Sequence, residues 1–445
     1  MPALISPPAN SRARAAWALF DWAAQPWFTL VTTFIFAPYF AAALTGDPVR
    51  GQALWGYLQA GVAITVAFAA PWLGARMDRA GHLGPPVALA SLAYVLGVAM
   101  LWFARPGEAG LILAMVAIFV AAIGVEFATI ITNVLLPRLA GGNDVGRLSG
   151  SAWALGYAGG LISLGLVLAL LAPVPGGERT LAGLIPLFGL DPGDGGPARA
   201  TGPLSAIWYI VFVLPLFVFV PLKQKPAQGR PASVRDTIAI LWSNRPLTRF
   251  LIARLFFQDA LVAIFAFGGI YAAGLFGWTT FELGIFGILL AFAAGLGAWA
   301  GGFADDRLGP VPVIAGAILL AIAAIGLIAT LGGEHARAGA VFASTAERLY
   351  LVAGIMLGIA SGPMQAASRS LVARLAPVDH VGAAFGLLAF SGRATAFLGP
   401  LLVAVVTELA GSQRAGLVPI AALFGIGLVL LLFTVRINGG NGERR

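Results

Sequence analysis

The chain reads as an all-α polytopic membrane protein, with twelve transmembrane helices arranged as two related six-helix halves. Three observations predict this. Of 445 residues, 59% are hydrophobic and 10% charged, and the mean hydropathy is +0.90; a soluble domain carries about 25% charged residues. Apolar runs of roughly 20 residues, enough to cross a ~30 Å hydrocarbon slab, recur along the whole length. Finally, Gly74, Asp78, Arg79 and Gly81 are echoed by Gly302, Asp306, Arg307 and Gly309 at an offset of 228 residues. Each G-x-x-x-D-R-x-G closes one apolar run and precedes another.

The first run, 15–44, exceeds the ~7–15-residue apolar stretch of a secretory leader and is followed by further spans. Spans two to six are expected at 52–75, 85–104, 110–137, 147–172 and 204–222. The Pro/Gly-rich stretch 173–203 is expected as an outside loop. A basic stretch, 223–249, follows span six and divides the chain into an N-terminal bundle (1–222), a cytoplasmic linker (223–246) and a C-terminal bundle (247–445). Within it Ser233 is placed to cap a short helix whose Val234, Ile238, Leu241 and Trp242 share one face on the inner membrane surface; a solvated linker is the alternative. Spans seven to twelve are expected at 247–275, 281–304, 311–331, 348–375, 381–409 and 414–436.

The net charge of +8 follows the alternation of loops. Arg12, Arg14, Arg76, Arg138, Arg147, Lys223, Lys225, Arg245 and Arg374 fall on one side, whereas the other holds fewer, chiefly Arg50, Arg105, Arg179, Arg199, Arg337, Arg348 and Arg414. This positive-inside bias places both termini in the cytoplasm and accounts for the charge without a nucleic-acid partner. There is no cysteine, so disulfides and thiolate metal sites are excluded. His82, His335 and His380 fall in loops, so no imidazole relay crosses the bilayer, and neither cofactor nor metal is expected.

The halves match beyond the hinge. Arg138-Leu139-Ala140 returns as Arg374-Leu375-Ala376 at an offset of 236, and in that register Gly146, Gly150 and Gly156 align with Gly382, Gly386 and Gly392. A parallel repeat of six spans resembles the major facilitator architecture, which implies a binding site near midplane between the halves. Glycine lets span two approach a neighbour, aspartate accepts hydrogen bonds from a helix N-terminus, and arginine anchors the inner surface. By that resemblance Gly74, Asp78, Arg79, Gly81, Gly302, Asp306, Arg307 and Gly309 form a conformational gate, although His82 and Leu83 stand where two basic residues are usual.

Ionisable residues inside spans require a partner or a wet cavity, because a central charge costs at least ~2.5 kcal/mol. They are Asp21 (span one), Glu126 (four), Arg254 and Asp259 (seven), Arg369 (ten) and Arg393 (eleven). Asp259 falls near the middle of its span, with Arg254 and Gln258 four apart on one face. Asp21 and Arg369 fall nearer the cytoplasmic end, where gate pairing or snorkelling competes with ligand binding. Gln25, Asn133, Gln258 and Gln365 add polarity to spans one, four, seven and ten, as cavity lining or as interhelical glue. The aromatics Trp17, Trp22, Trp27, Tyr39, Trp55, Tyr57, Tyr271 and Trp278 are expected mostly in the interfacial belts, with Trp22 and Tyr271 as candidate ligand stackers.

Phe20-Asp21-Trp22-Ala23, Thr132-Asn133-Val134-Leu135-Leu136-Pro137, Gln365-Ala366-Ala367-Ser368-Arg369-Ser370 and Ser391-Gly392-Arg393-Ala394-Thr395-Ala396-Phe397-Leu398-Gly399-Pro400 resemble the vacuolar amino-acid effluxer-like major facilitators. Ala24 stands where that family usually has Asn, and Gln25-Pro26 is atypical, which bears on substrate range. The resemblance implies a secondary transporter, not an enzyme, exporting an amino acid or similar zwitterion by alternating access. A bacterial inner membrane, a monomer and proton coupling through Asp21, Glu126 or Asp259 complete the expectation. A carboxylate (Asp259 or Asp21) would hold the ammonium, and Arg254, Arg369 or Arg393 the carboxylate. The rivals are a drug or lysolipid exporter, a membrane enzyme, and a transport-inactive receptor.

Overall fold

The computed structural model describes residues 10–141, 144–173, 177–226, 239, 241–278, 280–332 and 342–435. The proposed linker cap at Ser233, with Val234 and Ile238, lies outside them, as do His335 and Arg337. The fold is all-helical and of the major facilitator kind, with twelve crossings in two six-helix bundles. The first bundle holds α1 (Ser11–Pro26), α2 (Pro48–Arg79), α3 (Gly84–Met100), α4 (Glu108–Asn133), α5 (Val145–Leu170) and α6 (Gly196–Phe219). The second holds α7 (Arg245–Phe276), α8 (Thr280–Leu308), α9 (Pro310–Thr330), α10 (Thr345–Leu375), α11 (Val381–Ser391), α12 (Leu398–Ala410) and α13 (Leu417–Val435).

Local chemistry sets the boundaries. Asn10 caps α1 by accepting from the Arg12 amide, Asp47 caps α2 by accepting from Val49, and Ser344 with Glu347 forms a capping box on α10. After Pro26, which lacks the amide that would continue the ladder, the first crossing runs on to Leu44 largely in wide π-type turns. The sixth crossing begins at Gly196, not 204. Pro203 and Gly202 read as loop residues, yet Pro203 sits early in α6 and forgoes only a bond to the Arg199 carbonyl.

The eleventh crossing is the largest departure from expectation. It is not one helix over 381–409 but two, α11 and α12, separated by irregular backbone from Gly392 to Phe397. Pro400 favours the break: its ring would crowd the carbonyl four residues earlier, at Ala396, if the helix ran through, although Pro71, Pro203, Pro215 and Pro363 are accommodated inside unbroken helices. Starting α12 at Leu398 instead puts Pro400 in the first turn, where an amide is not needed.

The bundles meet along two seams. α2 lies on α11, and α5 lies on α8. At the first, Gly74 faces Gly382 backbone to backbone; at the second, Gly302 faces Gly146 and Gly150. A Cβ at Gly74, Gly382, Gly302 or Gly150 would strike main chain, and one at Gly146 would strike the Asp305 and Asp306 side chains, so only glycine allows the approach.

Candidate functional site

The two hinge motifs perform the same bond crosswise. Asp78, ending α2, accepts from the Gly382 and Ala383 amides at 2.5 and 2.9 Å, at the start of α11. Asp306, ending α8, accepts from the Gly146 and Arg147 amides at 2.8 and 2.9 Å, at the start of α5. Each bundle therefore caps a helix of the other, satisfying exposed amides and placing negative charge at the positive end of a helix dipole. The copies differ in their surroundings. Asp306 also meets the Arg374 guanidinium at 3.0 Å and Arg147 Nε at 3.4 Å. Arg374 reaches Asp305 at 3.0 Å, and buried Asp305 accepts from the Ser370 hydroxyl. Asp144 extends the chain of charges, pairing with Arg147 and, at 3.1 Å, with Arg14. Burial works to raise the Asp144 pKa, but hydrogen bonds from Arg147 and Arg14 hold it below the usual carboxylate range. Arg79, Gly81 and Arg307 are exposed beside these contacts.

One layer deeper, Arg369 ties four helices together. Its guanidinium donates to Asp21 Oδ2 (2.9 Å) on α1, to Ser149 Oγ (2.9 Å) and O (2.7 Å) on α5, and to Asn133 Oδ1 (3.5 Å) on α4. It lies 4.9 Å from the Trp17 ring centre and 5.8 Å from that of Trp153. Trp17 donates to the Thr132 carbonyl at 2.8 Å. The cation is thus enclosed by one carboxylate, a hydroxyl, a carbonyl and two π faces.

Around the middle of α7, that helix and the broken crossing bring the remaining charges together. Arg254 donates to the Leu388 carbonyl and to Ser391 Oγ, both at 2.9 Å. It therefore places positive charge on the negative C-terminal end of α11. Asp259, 1% exposed, receives the Thr395 hydroxyl at 3.2 Å, just before α12 begins. Among the described residues, no donor reaches Asp259 Oδ2 or uses Gln258 Oε1. Arg393, within the break, pairs with Glu126 of α4 across the bundle interface. Its side chain is 36% exposed, against 6% for Arg369.

The sequence candidates separate accordingly. Asp21, Asn133 and Arg369 come together in one cluster, Glu126 and Arg393 in a second, and Arg254 and Asp259 flank the break. Gln25 lies against Gly156 and Gly160 of α5, with Asp21 on the same Gly156, and Gln365 is half-buried on α10. Several aromatics expected in the belts are core residues. Trp17 belongs to the Arg369 cluster, Trp27 packs on Tyr94, and buried Trp278 donates to Glu347 at 2.9 Å. Tyr39 donates to the Ala104 carbonyl, and Trp22 stacks on Trp208 at 5.4 Å, so its face is already taken. Trp17, Trp278 and Tyr39 turn their polar edges to internal partners, which the hydropathy of a span does not encode.

Ser149, Asp305, Arg374 and Thr395 were not singled out by sequence as site residues. Asp305 had a visible signal, a second carboxylate immediately before the motif aspartate, and Arg374 stood in the R-L-A repeat. Ser149 had none; it matters only because α5 crosses α10.

Residues 143–444 match the family model described as "Vacuole effluxer Atg22 like". The "Uncharacterized MFS-type transporter YxiO" of Bacillus subtilis (strain 168) is 25% identical over 431 residues, covering 94% of each chain. "Autophagy-related protein 22" of Cryptococcus neoformans is 24% identical over 295 residues, which cover 61% of this chain and 47% of the fungal protein. Among solved structures, the E. coli fucose:proton symporter FucP superposes with a TM-score of 0.68 at 16% identity, over 95% of this chain and 98% of that one.

Proposed function

This chain belongs to the vacuole effluxer Atg22-like family of major facilitator transporters, and we propose on that premise that it exports a small zwitterion, an amino acid or close analogue, across a bacterial inner membrane. Secondary transport follows from the family; substrate, direction and coupling are our reading. In this reading the basic end, with both hinge motifs, faces the cytoplasm, and the crosswise Asp78 and Asp306 bonds close that side. Asp78 and Asp306 act as latches, and the Asp21–Arg369 pair is a deeper bolt.

The observation that carries the substrate reading is the Arg393–Glu126 pair. Arg254 is committed to the end of α11 and Arg369 to the bolt, whereas Arg393 combines a broken helix with access to solvent. A substrate carboxylate takes Arg393 through a bidentate contact. Glu126, relieved of its counter-ion in a low-dielectric site, then takes up a proton or the substrate ammonium. This couples ligand binding to the bundle interface, because the pair being replaced is itself a bridge between bundles.

The test uses proteoliposomes loaded with a mixture of the twenty amino acids and a pH gradient of either sign. Gradient-dependent release of one or more amino acids is expected, lost on Arg393→Lys and made indifferent to pH by Glu126→Gln. Release that ignores the gradient in the unaltered protein would remove proton coupling; no release of any amino acid would remove the substrate class.

A further inference from the structure

A second concave site lies in the outer half of the second bundle, apart from the charged centre. There α7 and α12 part to leave a cleft of about 240 Å³ closed behind by α13 and by Tyr350 of α10. Its floor is Ile264 and Val403. Val403 stands one turn beyond Gly399, which packs on the Asp259 carbonyl. Its walls include Phe267, Tyr271 and Ile420, and the lining is apolar almost throughout. The exception is the mouth, where Thr407, Glu408 and Gln413 converge. Glu408 is the single carboxylate among the lining residues, and it is exposed at the end of α12. No residue of this cleft belongs to the Arg369 or Arg393 clusters.

In the first bundle the corresponding α1 and α5 stay in close contact, whereas α7 packs less closely on α11 and α12. The looser joint follows from the break in the eleventh crossing, which frees α12 to diverge from α7. An apolar slot with one carboxylate and two neutral oxygen groups at its rim selects an ammonium head on an apolar body. The carboxylate supplies charge, Thr407 and Gln413 accept from N–H, and the aromatic walls favour a cation near the rim. A volume below the ~300–1,000 Å³ usual for drug-sized ligands suits one alkyl chain and not a two-chain lipid.

We propose that this cleft binds single-chain ammonium amphiphiles from the outer leaflet, and that an occupant, wedged between α7 and α12, restrains the broken crossing. Binding therefore slows transport without competing for the Arg393–Glu126 site.

The experiment measures binding of dodecylammonium and of dodecanoate to the purified full chain in nanodiscs of phosphatidylglycerol or of phosphatidylethanolamine. Dodecylammonium is expected to bind at least tenfold more tightly than dodecanoate in phosphatidylglycerol discs. Glu408→Gln should erase that preference. Ala404→Trp, which fills the cleft from its rim, should abolish binding with the elution profile unchanged and, acting as a built-in wedge, slow amino-acid release. Equal affinity for the two amphiphiles, or binding that survives Ala404→Trp, would overturn the proposal. So would binding of dodecylammonium only in phosphatidylglycerol discs, displaced by phosphatidylethanolamine, since the resident would then be the bilayer lipid. Because binding is read without transport, failure of the amino-acid reading leaves this outcome distinguishable.

Discussion

Arginine is used here in three ways, and the partner decides which. Arg369 faces a carboxylate, a serine and two indoles; Arg254 faces carbonyl oxygen at a helix end; Arg393 faces a carboxylate but keeps solvent access. Removing one member of a buried pair leaves the other uncompensated, at about 3–5 kcal/mol. Asp21→Asn should therefore depopulate the state closed at the basic end. The chain has no cysteine, so a single introduced cysteine on the α5–α8 seam reports this as faster maleimide labelling. Unchanged labelling would show that Ser149 and the indoles suffice to hold Arg369. The sequence marked all three arginines as needing partners, because insertion of a charge always does. It could not distribute the partners, since these lie 134 to 348 residues away in the chain.

Among the elements, the broken eleventh crossing matters most. Pro400→Ala removes the crowding that favours the break between α11 and α12. We expect one continuous helix, displacement of Arg393 from Glu126, and a loss of amino-acid release of at least tenfold in a protein that still folds. A variant with full release would show that the break is dispensable. The seams make a second prediction. Gly382→Ala drives a Cβ into the Gly74 carbonyl; α2 and α11 must separate, and the Asp78 hydrogen bonds lengthen or break. Labelling at the basic end should rise and thermal stability fall, as overpacking typically costs about 1–3 kcal/mol. Apolar runs long enough to cross the bilayer made the spans that contain α2, α5, α8 and α11 legible. The break was written in the same letters, but G-R-A-T-A-F is apolar enough to pass for a continuous span, and only the proline's reach to Ala396 reveals otherwise.

For the whole molecule, the two latches are unequal although their sequences match. Asp78 accepts two backbone amides; Asp306 accepts two and also faces Arg147 and Arg374. Asp306→Asn should shift the population away from the closed state further than Asp78→Asn, and high salt should narrow the gap because exposed pairs are screened. Equal effects at low salt would deny the arginines any share. The network also has an acid limit. The Asp144 pKa is lowered in the fold, so its contribution is complete above its unfolded value, about 3.9, and is lost as pH falls through the folded one. Labelling at the basic end should therefore show a step below about pH 4 that Asp144→Asn removes. Composition, span length and the twin motifs determined the class, the number of crossings and the twofold repeat, because burial in lipid constrains every span alone. Which charge meets which, where a span breaks, and where α7 leaves a cleft were decided by tertiary structure, because those depend on how separate helices cross, and no local pattern records a crossing.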